Sequence, residues 1–260
     1  NITFEYSASP SLWGAAYFPG TPQWEGDVTL TPKAYDLMEP GQEGYLTLIH
    51  EIGHALGLKH PHSGTNGWPT ADELGVQWKD NLYQTVMTYN QPNYNSGSAT
   101  AEGGYGWATT PMLLDTKALQ GIYGAENETR SGDTHYYLTE SYEYNTVSKV
   151  IWDAGGHDTF DASKSSVKNW IDLREGEFSV SYADESGKFM DAEGIAYDTV
   201  IEDAMGSNQN DTIMGNDIDN LITGAGGDDY IWAMGGDDTV QGASGDDTLY
   251  GNKGLDRLWG

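Results

Sequence analysis

The chain has 260 residues, enough for one large or two ordinary domains. It carries 40 acidic against 12 basic residues, a formal net charge of -28, which excludes nucleic acid and anionic membranes as expected partners because both require a positive surface. It has no cysteine, so no disulfide can stabilise it, and no apolar run long enough to span a bilayer. Repulsion within so acidic a chain predicts bound cations, and calcium is the natural candidate because it binds carboxylate and carbonyl oxygens.

Residues 1–125 are predicted to form an α+β domain. Short strand-like runs come first, at residues 2–6, 15–18 and 28–30, and a helix that ends near Leu58 follows them. The amino terminus lacks the basic start and apolar stretch of a secretory signal, so a targeting segment is expected to lie outside this chain.

The strongest local signal is the sequence HEIGHALGLKH, which fits the long zinc-protease pattern H-E-x-x-H-x-x-G-x-x-H. Its first two histidines, His50 and His54, are four residues apart and therefore share one face of a helix. Gly57 can end that helix because it tolerates positive φ, which lets His60 return to the same ion. Three histidines leave a coordination position open, as a catalytic zinc requires. Glu51 can serve as the general base.

A second motif follows at residues 86–89, with the sequence VMTY. Met87 would supply a soft, apolar floor beneath the imidazoles. The phenol of Tyr89 would lie near the metal or a developing oxyanion. A Met-Tyr pair alone is typical of core packing, but downstream of a zinc motif it favours a metzincin Met-turn.

The segments between and after these two motifs carry weaker sequence signals. Residues 61–83 are predicted to be irregular because Gly, Pro and Asn interrupt them. His62 is expected to be a solvated loop residue, since Pro61 turns the chain there. A second helix is predicted from about Pro111, where proline suits the first turn, to just before Gly124.

From about residue 126 onward the chain is predicted to be all-β, with strand-like runs at 136–138, 149–152 and 169–173. Its end is a nine-residue repeat in six registers, from Gly206 to Trp259, which fits the G-G-x-G-x-D-x-U-x pattern of calcium-binding parallel β-rolls. A flexible Gly/Asp linker is the alternative, and the strict period of its aliphatic residues argues against it. Position eight of the repeat, expected to face the interior, holds Ile213, Ile222, Ile231, Val240, Leu249 and Leu258.

Calcium is expected at the turns between the strands. Two repeats make one coil, so residues eighteen apart should stack on the same edge. The first two registers are degenerate, since Gln209 and Ile218 replace the glycine of position four and Asn220 replaces the aspartate of position six, and they are expected to bind calcium weakly or not at all. The candidate ligands in the repeats are Asp211, Gly227, Asp229, Gly236, Asp238, Gly245, Asp247, Gly254 and Asp256. A solenoid needs a cap, so more protein is expected beyond Gly260.

Together these motifs resemble the serralysin family, the RTX-containing metzincin proteases that Gram-negative bacteria secrete. The resemblance covers most of the chain. It includes PMLLD from Pro111, RSGDT from Arg130 and WDAGGHDTFD from Trp152. It implies an α+β chain in which a metzincin domain, residues 1–125, precedes an all-β calcium-binding parallel β-roll, residues 126–260, with the pro-segment and the C-terminal type I secretion signal outside both.

The resemblance also implies the activity and the cofactors. The function would be that of a secreted, extracellular zinc endopeptidase with one catalytic Zn²⁺ and several structural Ca²⁺ ions. Glu51 would be the catalytic base, and Tyr89 would be a fifth zinc ligand when no substrate is bound. The implied interdomain calcium ligands are Arg130, Gly132, Thr134, Asp153, Gly155 and Asp158 in one site and Gly156, Asp158, Val200 and Glu202 in another. Val200 departs from the family's usual threonine. The implied partners are protein or peptide substrates and a proteinaceous periplasmic inhibitor. The implied assembly is a monomer.

Two other interpretations remain open at this point. One is a metzincin of another branch joined to a β-roll. The other is a non-enzymatic, calcium-dependent surface or adhesion module whose protease part is vestigial. The intact set of His50, Glu51, His54, His60 and Tyr89 disfavours the second, and peptide cleavage that a chelator blocks would separate the two classes.

Overall fold

A computed structural model describes residues 2–6, 13–20, 26–64, 69–90, 107–138, 147–182 and 189–260. The chain divides into two compact units. One comprises Asn1–Ala125 with Val147–Lys149, and the other comprises Glu126–Thr146 with Val150–Gly260. The chain is mostly β-sheet with few helices, and in the described ranges the α-helices all lie in the first unit. None of the described helices has the length and apolar character needed to cross a membrane.

In its described residues the first unit combines a small sheet with three α-helices. The sheet order is β1-β3-β2, in which β1 is parallel and β2 antiparallel to the central β3, so β2 forms an edge. Val28, Leu30, Ala34 and Ala55 form its buried cluster. The elements are β1 (Thr3–Tyr6), β2 (Gly14–Ala16), β3 (Asp27–Leu30), α1 (Pro32–Tyr35), α2 (Glu43–Ala55), a 3-10 turn (Gln77–Lys79), β4 (Trp107–Ala108) and α3 (Leu113–Tyr123).

Helix α2 ends where its sequence predicts a reversal. Gly57 has φ +97°, and the amide of Leu58 donates to the carbonyl of Gly53 at 2.9 Å, which closes the helix end. Helix α3 begins two residues after the predicted Pro111, because the Asp115 carboxylate accepts the Met112 amide at 3.0 Å and caps the first turn.

The second unit is built of two sheets. The first has six strands in the order β17-β15-β13-β11-β7-β5, all parallel to their neighbours. The second contains β16-β14-β12-β8 in parallel and then β9 and β10 in antiparallel pairing. The strands are β5 (His135–Tyr137), β6 (Val147–Ile151, of which Val147–Lys149 belong to the first unit), β7 (Thr159–Asp161), β8 (Asn169–Asp172), β9 (Phe178–Tyr182), β10 (Phe189–Ile195), β11 (Asp203–Met205), β12 (Thr212–Met214), β13 (Leu221–Gly226), β14 (Tyr230–Trp232), β15 (Thr239–Ser244), β16 (Thr248–Tyr250) and β17 (Arg257–Trp259).

The repeats stack with the predicted offset of eighteen residues. Ile213 is in register with Ile231, and Ile222 with Val240, and all four side chains are fully buried. Each row of aliphatic residues therefore faces the interior of the roll, where the hydrophobic effect favours it.

The turns explain why glycine occupies position four in the later registers alone. A Cβ at Gly245 would lie 2.0 Å from the carbonyl oxygen of Gly227, and one at Gly254 would lie 1.8 Å from that of Gly236. No other residue fits where successive turns approach so closely. Position two of these registers also has positive φ without being glycine, at Ala225, Met234, Ala243 and Asn252.

Candidate metal centres and active site

The three histidines of the zinc motif converge in the first unit. His50 and His54 lie on α2, and the Gly57 turn brings His60 back beside them. The Nε2 atom of His60 lies 3.0 Å from the Nε2 atoms of both other rings. Within the described residues this is the one group of three or more His, Cys, Asp or Glu side chains whose ligand atoms lie within 4.8 Å of one another.

The chemistry of these nitrogens fits a bound cation. The Nδ1 atom of His50 donates to the carbonyl of Val86 at 2.6 Å, and that of His54 donates to the carbonyl of Leu58 at 2.8 Å, which leaves both Nε2 atoms as acceptors. Burial lowers the pKa of His50 and of His60 to about 4, so both rings are neutral at neutral pH. Lone pairs that face one another without a proton between them suit zinc, and the fixed Nδ1 groups are the orienting contacts of a zinc site.

Glu51 lies beside the histidines with its carboxylate largely withdrawn from water. It is 8 % exposed, and burial raises its pKa to about 7. Gly14, on the edge strand β2, approaches so closely that a Cβ there would lie 2.9 Å from the Glu51 Cγ. A cavity of about 350 Å³ opens next to Glu51, with Trp13, Leu82 and Trp107 among its walls. A carboxylate with this pKa can both accept and release a proton near neutral pH.

The predicted Met-turn lies against the zinc helix. Met87 is 1 % exposed, and its sulfur packs where a Cβ at Gly53 would be only 2.4 Å away, so glycine is required at that helix position. The ring centroid of Tyr89 lies 4.7 Å from that of His60 and 5.6 Å from that of His50. Tyr89 is 69 % exposed, and partial burial, followed by the Glu51 charge, raises its pKa. Met87 therefore packs against α2, and Tyr89 lies next to the histidine rings.

Sequence reasoning missed a buried carboxylate that organises this site. Asp115 is 2 % exposed and accepts hydrogen bonds from the Thr85 hydroxyl, from the Val86 amide at 2.7 Å and from the Met112 amide. Burial raises its pKa to about 6. Asp115 thus orients the Val86 peptide, whose carbonyl in turn holds His50. A lone acid within the otherwise apolar start of α3 was the signal available in the sequence.

His62 also differs from its sequence-based description. It lies in a loop and 37 % of its side chain is exposed, as expected of a solvated residue. Its ring, however, stacks on His60 at an interplanar angle of 7° and a centroid distance of 5.1 Å. It therefore contacts the metal centre.

The second unit contains the residues of the two calcium sites, outside the repeats, that the family resemblance implies. Asp158 accepts the Thr134 amide at 2.8 Å through Oδ1, whereas its Oδ2 is buried and has no hydrogen-bond partner. Asp153 accepts the Gly155 amide at 2.8 Å, and Glu202 accepts the Asp158 amide at 2.7 Å. An unpaired buried carboxylate oxygen among further oxygens fits a hard cation.

The loops that carry the other implied ligands are closely packed. A Cβ at Gly156 would lie 2.7 Å from the carbonyl carbon of Gly132, and Arg130 has positive φ. This conformation presses the 130–134 loop against the 153–158 loop. Val200 has no side-chain oxygen, so it can offer a cation its main-chain carbonyl alone.

The repeat aspartates form two ladders. Asp229 accepts the Asp211 amide at 2.8 Å, and Asp238 accepts the Asn220 amide at 2.8 Å, each through Oδ1. The Oδ2 atoms of Asp229, Asp238 and Asp247 are buried and have no hydrogen-bond partner among the residues that the structure describes. Burial, with smaller effects of neighbouring carboxylates, raises the pKa of Asp229 to about 7 and that of Asp238 to about 6. These oxygens fit calcium, which would satisfy them and stabilise the ionised form.

Asp211 differs from this pattern. Its Oδ1 accepts the Asn169 amide at 2.6 Å, and its Oδ2 accepts both the amide and the hydroxyl of Ser207, at 2.5 and 2.9 Å. The side chain of Asn220 is also hydrogen-bonded within the protein. Its Oδ1 accepts the Asn216 amide, and its Nδ2 donates to the carbonyl of Glu202. Protein donors therefore occupy the place that a cation would take in the later turns. Asp211 as a calcium ligand stays a prediction, and its carboxylate oxygens are already hydrogen-bonded within the protein.

Comparison with known proteins shows the family of this chain. Residues 113–258 match the family model described as Peptidase M10 serralysin C terminal. The chain is 39 % identical over 218 residues to a serralysin of Proteus mirabilis, covering 80 % of this chain and 41 % of that protein. It is 36 % identical over 212 residues to serralysin C of Dickeya chrysanthemi, covering 76 % of this chain and 42 % of that protein.

A third relative is the metalloprotease AprA of Pseudomonas entomophila (strain L48), 35 % identical over 185 residues, covering 67 % of this chain and 37 % of the relative. The chain thus spans less than half the length of these curated relatives. The family model nevertheless covers more than half of the chain, and the aligned regions reach back into the first unit. This chain therefore belongs to the serralysin family.

Proposed function

We propose that this protein is a secreted, zinc-dependent endopeptidase whose second unit is a β-roll stabilised by calcium. The first unit would be its metzincin catalytic domain, with a boundary near residue 125. The observation that carries this proposal is the convergence of three neutral imidazoles, each offering Nε2, beside a buried carboxylate at Glu51. Zinc bound there would supply a Lewis acid that polarises the scissile carbonyl and lowers the pKa of water.

The protein's own groups would then do three things. Glu51 would accept a proton from the attacking water and deliver it to the leaving amine, a role that suits a carboxyl group with a pKa of about 7. Tyr89 would bind the metal in the resting site and donate its phenolic proton to the developing oxyanion when substrate is bound. Strand β2, at a sheet edge beside Glu51, would pair with an extended peptide, and the adjacent cavity would accept one of its side chains.

The second unit would bind several calcium ions. The unpaired oxygens of Asp158, Asp229, Asp238 and Asp247 support these sites. Carbonyl oxygens of the turn glycines, with Asp256 and the 130–134, 153–158 and 200–202 segments, would complete them. The same proposal includes protein substrates, a periplasmic inhibitor protein, type I secretion and a monomeric state.

Metal analysis together with a peptide-cleavage assay tests this function. Protein purified with calcium should contain one zinc ion and should cleave an unstructured protein such as casein. A chelator specific for zinc should abolish cleavage, and added zinc should restore it. A folded, zinc-loaded protein that cleaves no peptide would instead support the calcium-dependent binding module.

A further inference from the structure

The third histidine of the metal centre is held differently from the other two. His50 and His54 each donate from Nδ1 to a backbone carbonyl, which sets the plane of the ring. No hydrogen bond to Nδ1 of His60 occurs within the described part of the chain. Since outer contacts of ligating histidines normally fix ring orientation, His60 requires another restraint.

His62 provides a surface for that restraint. Its ring lies parallel to that of His60, with an interplanar angle of 7° and centroids 5.1 Å apart. Tyr89 packs against both rings, at centroid distances of 4.7 Å from His60 and 5.2 Å from His62. His60 therefore cannot rotate about its ring axis without losing contact with two neighbouring rings.

Asp80 lies beside His62. Its Oδ2 lies 3.7 Å from Nδ1 of His62, and its other oxygen accepts the hydroxyl of Thr88, the residue between Met87 and Tyr89. The side chain of Asp80 is 8 % exposed, whereas that of His62 is 37 % exposed. A largely buried carboxylate that is hydrogen-bonded to the Met-turn thus lies next to a ring that is itself partly open to solvent.

We propose that His62, anchored by Asp80, is a positioning residue that fixes the orientation of the third zinc ligand, His60, by ring stacking. This inference rests on the proposed function, because it requires that His50, His54 and His60 bind zinc. His62 itself would bind no metal, since it does not belong to the group of facing ligand atoms that His50, His54 and His60 form.

Zinc affinity provides a readout that is independent of catalysis. The whole chain, kept in calcium, would be titrated with Zn²⁺ against a chromogenic chelator. His62→Ala should weaken zinc binding by roughly 10-fold to 100-fold, the range found for outer contacts of metal ligands. His62→Phe keeps a planar ring and should recover most of that affinity, whereas His62→Leu, which has no planar face, should not. The spectrum of bound Co²⁺ should change in the Ala and Leu variants and stay close to wild type in the Phe variant.

A matched control exists in the second unit. His135 lies 3.9 Å from a carboxylate oxygen of Asp161 and stacks on Tyr137, but it contacts no candidate zinc ligand. His135→Ala should leave zinc affinity unchanged. Asp80→Ala should weaken zinc binding, and its effect should not add to that of His62→Ala, because both remove the same restraint.

The outcomes separate this inference from the proposed function. If wild-type protein binds no zinc, both are overturned. If wild type binds zinc and folded His62→Ala binds it equally well, the positioning role alone is overturned. If His62→Ala does not fold, the comparison of His62→Phe with His62→Leu tests the positioning role. Equal zinc affinity in these two variants would overturn the inference that ring stacking orients His60.

Discussion

Glu51 shows how the placement of one side chain sets its chemistry. On an exposed helix its carboxyl group would be ionised throughout the physiological range, with a pKa near 4. In the fold it is 8 % exposed, and burial raises that pKa to about 7. The same withdrawal from water places it beside the histidines, with no ion pair among the residues that the structure describes, and such an environment suits a proton shuttle.

The Glu51→Gln substitution should therefore abolish hydrolysis while leaving zinc bound. Glutamine keeps the size of the side chain but cannot take the proton of water, a loss that costs ~10²–10⁴ in rate. Cleavage of a fluorogenic peptide and the zinc content of the same sample would be measured. Glu39→Gln, at an exposed site before α2, is the control. Near wild-type cleavage by a zinc-loaded Glu51→Gln protein would show that another group is the base.

Tyr89→Phe should also keep zinc bound, since three histidines remain. Loss of the phenolic donor should lower kcat by roughly 10-fold to 10³-fold, as for the loss of one oxyanion donor. The ring contacts of Tyr89 with His50 and His60 persist in phenylalanine. Steady-state kinetics would check this prediction, and a rise in KM without a fall in kcat would indicate substrate packing instead.

At the scale of elements, the later repeats of the roll have positive φ at position two, a backbone conformation that is unusual for residues other than glycine. Ala243, exposed near the end of strand β15, has φ +78°, a conformation in which an L side chain is strained and glycine is not. The repeat pattern has glycine at this position, the second of the nine. Alanine there therefore lowers the stability of the coil without contributing to its core.

Ala243→Gly should stabilise the calcium-loaded second unit by about 1 kcal/mol. Ala204→Gly is the matched control, because Ala204 lies on strand β11, is 3 % exposed and has ordinary backbone. The control should destabilise the unit by about 1 kcal/mol, since glycine weakens a strand and removes a buried methyl group. Urea unfolding followed by circular dichroism would compare them, and destabilisation by both substitutions would contradict the strain argument.

The two kinds of turn should also respond differently to calcium. Ser207 and Asn216 close the turns of the first two registers with hydrogen bonds, whereas the later turns leave carboxylate oxygens unpaired. Calcium removal should therefore reduce hydrogen-exchange protection much more in residues 224–259 than in residues 206–223. Ser207→Ala should weaken protection of the earlier segment with or without calcium. A uniform loss along all six registers would contradict this division.

For the molecule as a whole, its charge of -28 makes stability depend on pH and calcium together. The pKa of Asp229 is raised to about 7 and that of Asp238 to about 6 in the calcium-free fold, mainly by burial. The folded unit thus binds protons that the unfolded chain, with carboxyl pKa values near 4, releases. Stability from this source is fully present below about pH 4 and is lost as the pH rises through 6 to 7.

Calcium-free protein should accordingly unfold at higher urea concentration at about pH 5 than at about pH 7.5. Calcium affinity should change in the opposite direction and fall as the pH decreases, because binding requires ionised carboxylates. Urea titrations and calcium titrations at both values would test the pair of effects. A calcium-free second unit that is less stable at the lower pH would show that other groups govern its titration.

The sequence by itself predicts two features of this protein, the histidine cluster of the zinc motif and the stacked turns of the nine-residue repeat. The spacing of His50, His54, Gly57 and His60 predicts convergence because one helix turn and one reversal are enough to bring the rings together. The nine-residue period predicts stacked turns and a buried aliphatic row because each repeat forms the same short unit. In both cases the residues that act together are neighbours in the chain or equivalent positions of a repeat.

The remaining features depend on contacts between distant segments. Asp115 reaches Val86 across 29 positions and His62 meets Asp80 across 18, and neither pairing leaves a periodic signal. Strands β7, β9 and β10 escaped detection because they are short or lie outside the repeat. The closure of the Asp211 turn by Ser207 and Asn169 likewise required the packed coil. Spacing along the chain encodes local geometry, whereas the partner of a buried polar group depends on how separate segments pack.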